Sequence, residues 1–201
     1  MPDSFSTLDY YKGKADFFDA REKVHVVKIL SGEWHVSTRP DEVCVTILGS
    51  CVSACIRDPF AKVGGMNHFL LPGEDNNAAS ASARYGVYAM ECLINGLLQA
   101  GGRKDRFEVK VFGGGNVIQH SARIGSRNAA FIRSFLHKEH LAIAAEDLEG
   151  DCPRRIHYYP ATGRVMLRAL HRKEDMIVLD EEKRYAERIA TKPIEGSVEL
   201  F

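Results

Sequence analysis

The period of apolar positions changes along the chain, and each change predicts an element. Residues 24–30 alternate weakly, as a half-buried strand does, and Ser31-Gly32-Glu33 reads as the turn after them. Asp41-Glu42 leads into residues 43–48, a β-rich run predicted as a buried strand and broken by Gly49-Ser50. Residues 51–56 are small and apolar, and so short a window fits either the first turns of a helix or a second strand. Asp58-Pro59 ends that segment, since the residue before a proline is pushed out of helical geometry. Residues 63–71 read as a strand closed by Pro72-Gly73, and the small polar stretch 74–82 as a loop.

The clearest helix spans 84–100, where Tyr85, Tyr88, Cys92, Leu93, Leu97 and Ala100 recur at three- and four-residue spacings. Gly101-Gly102 stops it. Residues 107–112 alternate as a strand and end in Gly113-Gly114-Gly115, a tight turn or a place of close backbone approach. Asn128 is placed to cap a helix over 129–139, with Phe131/Phe135 and Ile132/Leu136 stacked one turn apart. A short strand at 141–145 follows, then a hairpin of 155–159 and 164–170 joined by Pro160-Ala161-Thr162-Gly163. Strands, a helix, a strand, a helix and strands in that order predict a mixed α+β fold, with helices on one side of a largely antiparallel or mixed sheet system. Residues 1–22 have little period and read as an extension whose Tyr10, Tyr11, Phe17 and Phe18 are available for packing. Residues 23–172 form the domain, and 173–201 a charged tail with a helical stretch at 180–190.

Composition narrows the function classes. The chain of 201 residues is 45% hydrophobic and 27% charged, as globular domains are. Lys+Arg and Asp+Glu both number 27, so there is no basic footprint for nucleic acid and no polybasic patch for a membrane surface. No apolar run reaches membrane-spanning length, and MPDSFSTLDYYKGK has no apolar core of a secretion signal. Five cysteines, an odd number without such a signal, point to reduced thiols and a cytoplasmic location.

Among those thiols Cys51 stands out. A strand that breaks at Gly49-Ser50 presents the next residue sharply, as a nucleophile requires. If a helix starts there, its N-terminal N–H groups lower the thiol pKa and hold an oxyanion. His68, in Gly64-Gly65-Met66-Asn67-His68, is the partner such a thiol needs, taking its proton and returning one to the leaving group. The plain alternative is a half-buried structural histidine. A metal site at Cys51, Cys55 and His68, with Cys44 near in sequence, is the rival reading, but the chain has no C-x-x-C pair.

Residues 48–59, Leu-Gly-Ser-Cys-Val-Ser-Ala-Cys-Ile-Arg-Asp-Pro, and 64–72, Gly-Gly-Met-Asn-His-Phe-Leu-Leu-Pro, resemble the paired signature of the CheD family of chemoreceptor glutamine deamidases. The resemblance continues in Arg84-Tyr85-Gly86, Lys110-Val111-Phe112-Gly113-Gly114-Gly115, Ile124-Gly125-Ser126-Arg127-Asn128 and Thr162-Gly163-Arg164. It implies a layered α/β sandwich similar to the deamidase domain of cytotoxic necrotizing factor toxins. It also implies Cys51 as nucleophile, His68 as acid–base group and Thr46 as third member; backbone N–H groups near Cys51 are expected to hold the oxyanion, with Ser50, Val52 and Asn67 around it and the substrate. No metal or organic cofactor is implied. Implied partners are chemoreceptor cytoplasmic domains and a CheC-type phosphatase, with no nucleic acid and no membrane insertion. The implied reaction converts receptor glutamines to glutamates; a non-catalytic receptor-binding adaptor of the same fold is the alternative.

Two departures stand out. Relatives reading T-L-G-L-G-S-C have one residue more between threonine and cysteine, and a one-residue change within a strand exchanges its faces. Glu149 also stands where relatives often carry a glycine, which would allow a positive φ.

Overall fold

The computed structural model describes residues 16–71, 78–117 and 124–170, together with Arg184. The strands are β1 (Asp16–Asp19), β2 (Val24–Lys28), β3 (Trp34–Ser37), β4 (Glu42–Leu48), β5 (Val52–Asp58), β6 (Val63–Asn67), β7 (Glu108–Gly113), β8 (Ile143–Leu148), β9 (Arg154–Tyr159) and β10 (Arg164–Ala169). The helices are α1 (Ala78–Gln99) and α2 (Ile124–Lys138). The strands form two five-stranded sheets, ordered β1-β2-β4-β9-β10 and β3-β6-β5-β7-β8. Pairing is antiparallel except for β2 with β4 and β7 with β8. The predicted mixed α+β architecture is therefore the observed one.

Strand parity builds the layers. In β4, Cys44 and Leu48 face inward and pack with Ile156 and Tyr158 of β9 against Cys55, Met66 and Phe112 of the second sheet. Val43, Val45 and Ile47 turn the other way, to Val26 and Leu170. With both faces covered, β4 is buried at every position, so it reads as a continuous apolar run. In β5, Cys55 faces the first sheet, while Val52, Ala54 and Ile56 face Leu93 and Leu97 of α1 and Ile132 and Leu136 of α2. The order is sheet, sheet, helices. Each fully buried aliphatic chain contributes roughly 1.5–3 kcal/mol to holding these layers.

Several boundaries depart from expectation. Residues 51–56 belong to no helix: β5 begins at Val52 and pairs with β7. Helix α1 starts at Ala78, inside the stretch predicted as loop, because Ala78 and Ala79 are strong helix formers. It stops before Gly101, whose φ of 92° few other residues adopt. Helix α2 starts at Ile124, so Asn128 lies inside it rather than at its cap. Strand β8 runs Ile143–Leu148 rather than 141–145. Asp16–Asp19, predicted within the extension, pair as β1 with β2, and Phe17 packs on the Val26 cluster. Tyr10 and Tyr11 lie outside the described residues, as does the 180–190 stretch apart from Arg184. Among the described residues no helix is long and apolar enough to cross a membrane.

Candidate active site

The site sits where the chain passes from one sheet to the other. Thr46 shares the inward face of β4 with Cys44 and Leu48 and is fully buried. After Leu48 the chain turns through Gly49-Ser50 and delivers Cys51 at the edge of β5. The glycines after β7 hold that turn: Gly114 N–H donates to Cys51 O at 2.7 Å and Gly115 N–H to Gly49 O at 2.8 Å. Gly113 has a φ of 106°, and any Cβ there would collide with the Cys51 carbonyl. The Gly113–Gly115 stretch is thus a close backbone approach beside the nucleophile candidate.

His68 follows β6. Its backbone is clamped by the turn after β2, donating to Glu33 O at 2.9 Å and accepting from Gly32 N–H at 2.7 Å. Its ring Nδ1 lies 2.8 Å from Thr46 Oγ1 and 3.3 Å from Ile29 O. Thr46 Oγ1 donates its single proton to Ile29 O at 2.7 Å, so it can only accept from His68. In the neutral ring the proton therefore sits on Nδ1, and Nε2 presents a lone pair. Ser31 Oγ lies 2.9 Å from that Nε2 and 3.6 Å from Cys51 Sγ. Cys51, His68 and Thr46 are brought together, with one serine touching both the thiol and the imidazole.

The shortened spacing does not turn Thr46 away. The parity rule holds only inside a continuous strand, and Gly49-Ser50 interrupts it. Thr46 therefore keeps the inward face whatever the length of the link.

Two of the expected substrate and oxyanion groups are engaged elsewhere. Val52 N–H donates to Phe69 O at 2.9 Å. The Asn67 carboxamide accepts from Ala54 N–H at 2.9 Å and donates to Ala89 O at 3.0 Å, bracing β5 and β6 against α1. Neither offers a donor to substrate in this arrangement. No helix begins at Cys51, so the expected helix N-terminus at the thiol itself is not what the structure shows. Ser50 is buried beside Cys51, and its carbonyl accepts from Asn128 Nδ2 at 2.7 Å.

The neighbouring thiols differ from a nucleophile. Burial pushes both Cys44 and Cys55 well above the ordinary thiol range, so they stay protonated. Among the described residues the group with metal-ligand spacing is His35, Glu42 and Cys44, not Cys51, Cys55 and His68. Within it His35 Nε2 and Glu42 Oε1 already pair at 2.7 Å. Burial raises the Glu42 carboxyl, but the bonds from His35 and Ser37 outweigh it and leave it lowered.

Glu149 adopts the positive φ, 71°, that its side chain disfavours. Its N–H donates to Gly113 O at 2.8 Å, its carboxylate meets Arg133 at 3.3 Å, and its carbonyl accepts from Arg154.

Sequence reasoning missed Ser31 and Asn128. Ser31 read as an ordinary turn residue. Asn128 read as a cap, yet its side chain joins Ser50 O to Leu71 N–H, at 2.7 and 3.0 Å. The signal for Asn128 was an amide inside an otherwise apolar helix face.

A family model described as CheD chemotactic sensory transduction matches residues 70–169. A probable chemoreceptor glutamine deamidase CheD of Rhodopseudomonas palustris is 52% identical over 199 residues, covering 98% of this chain and 93% of that one. The protein of the same name from Methylobacillus flagellatus is 46% identical, covering 92% of this chain and 94% of that one. Among solved structures, the Bacillus licheniformis hypothetical protein YfiH matches at a TM-score of 0.38 with 10% identity, over 59% of this chain and 49% of that one. On the identity and coverage of the curated relatives, the chain belongs to the CheD family.

Proposed function

We propose that the protein is a protein-glutamine deamidase that converts chemoreceptor glutamine side chains to glutamates, in the cytoplasm, as part of chemotactic adaptation. The observation that carries this reading is the hydrogen-bonded chain of Cys51, Ser31, His68 and Thr46, in which the neutral imidazole is set for proton uptake at Nε2. The relatives named chemoreceptor glutamine deamidase support the choice of substrate.

In this mechanism the Cys51 proton passes to His68, and the thiolate attacks the carboxamide carbon. The tetrahedral intermediate collapses as His68 returns the proton to the leaving nitrogen, releasing ammonia. His68 then takes a proton from water, which hydrolyses the thioester to the acid and restores the thiol. The balance needs no metal or organic cofactor. Ser50 is the oxyanion candidate that remains, since Val52 and Asn67 are engaged elsewhere. Cys51 is fully buried, so a docked receptor must open the path to Sγ, and free glutamine is a poor substrate. A CheC-type phosphatase is the competing partner that the family resemblance implies.

The test is incubation with a receptor cytoplasmic fragment, following amide-to-acid conversion by peptide mass spectrometry. Wild type converts specific glutamines, C51A converts none, and H68A is slower by about 10²–10⁴-fold. Unchanged glutamines with wild type, or full activity in C51A, overturn the reading; the first outcome favours a non-catalytic adaptor of the same fold.

A further inference from the structure

We propose that Ser31 is a catalytic residue that carries the proton between Cys51 and His68. The inference rests on the deamidase reading only for its activity assay; the relay itself is argued from the hydrogen-bond order.

With the thiol and the imidazole both neutral, that order has one solution. Thr46 gives its proton to Ile29 O, His68 Nδ1–H gives to Thr46, and Nε2 must then accept. The group 2.9 Å from Nε2 is the Ser31 hydroxyl, which donates to it. Having spent its proton there, Ser31 Oγ accepts from the Cys51 thiol at 3.6 Å. Every donor in the run from Sγ to the Ile29 carbonyl points the same way, which is what stepwise proton transfer requires. On activation the Cys51 S–H bond breaks and its proton joins Ser31 Oγ. The original hydroxyl proton leaves Ser31 for Nε2. Serine ends neutral, the sulfur is a thiolate and the ring an imidazolium. The reversed bonds, imidazolium to serine and serine to thiolate, suit the charged pair equally well.

A turn-forming role does not account for the hydroxyl. The turn is held by Gly32 N–H to His68 O at 2.7 Å and Glu33 N–H to Leu30 O at 2.9 Å. It is closed by Leu30 N–H to the Glu33 carboxylate at 2.9 Å. None of these uses the Ser31 side chain, so S31A leaves the turn in place.

Receptor-fragment deamidation in wild type, S31A and S31T is the kinetic test, with the ¹⁵N resonance of His68 Nε2, assigned by its loss in H68Q, as the spectroscopic one. The relay predicts that S31A lowers kcat by about 10²-fold or more while KM changes less than about twofold, general acid–base transfer contributing on this order. S31T, which keeps a hydroxyl, recovers most of kcat. The Nε2 resonance shifts in S31A toward that of an imine nitrogen without a donor, and stays in place in S31T. Wild-type kcat in S31A, equal losses in S31A and S31T, or an unmoved Nε2 resonance in S31A each overturn the relay. A wild type that deamidates no receptor while Nε2 still responds to S31A counts against the receptor reading and supports the relay.

Discussion

At the scale of single residues, Thr46 bears on the proposed chemistry through the proton it does not share. Because its hydrogen is committed to Ile29 O, its oxygen fixes the imidazole proton on Nδ1. T46V keeps the side-chain volume and removes that acceptor; it should lower deamidation kcat by about 10–100-fold, while T46S retains most activity. Cys55 is the contrasting case, a thiol held protonated by burial in the inter-sheet core. C55A should deamidate within about twofold of wild type, general acid–base and nucleophilic groups being untouched; a large loss in the same kinetic assay would revive a metal role. Much of this was legible beforehand. That Cys51 and His68 would lie near one another was readable because the Gly49-Ser50 break and the Gly64-Gly65 motif are local signals. The orientation of Thr46 was not, since counting residues across an interrupted strand gives the wrong face. Ser31 lies 20 residues from Cys51 and 37 from His68, and a serine in a turn is expected for local reasons alone.

At the scale of elements, the two helices and most strands follow from period, while their ends follow from contacts that period does not carry. Asn128 shows why. An asparagine ahead of an apolar run looks like a cap, and only the assembled layers reveal that its amide faces the Gly49-Ser50 turn. It satisfies a buried acceptor on Ser50 and the donor on Leu71 with one side chain. N128A strands both, a cost of about 2–4 kcal/mol, which in a chain of this size lowers Tm by roughly 5–15 °C. N128D should be no better in thermal denaturation, because a carboxylate oxygen facing the Ser50 carbonyl replaces a donor with a second acceptor. G113A acts on the same turn from the other side, combining a left-handed backbone with a clash against Cys51 O. The site is therefore braced by α2 and β7 as much as it is built by β4 and β6.

Across the whole molecule, the far end of β5 is tied to the connection between α1 and β7 by one buried carboxylate. Asp58 Oδ1 accepts from Phe60 N–H at 2.8 Å and Ala61 N–H at 3.0 Å; Oδ2 accepts from Arg103 N–H and Arg106 Nε, both at 2.9 Å. The sequence showed only the turn at Asp58-Pro59, because Arg103 and Arg106 are brought to it by the fold. Burial alone raises the Asp58 carboxyl, but the N–H groups of Ala61, Arg103 and Phe60 and the Arg106 guanidinium outweigh it, leaving it below the usual carboxylate range. A folded-state pKa lowered in this way stabilises the protein fully above the unfolded value, about 3.9, and the contribution is lost as pH falls through the folded value. Urea midpoints of wild type should therefore be steady from about pH 7 to pH 5 and drop below about pH 4. D58N keeps the shape but not the charge, so its midpoint should be lower at neutral pH and its gap from wild type should close as the carboxylate of wild type protonates. A gap that stays constant down to about pH 2 would mean that D58N loses stability through the acceptor bonds of Oδ2, which an amide nitrogen cannot make, and not through the charge.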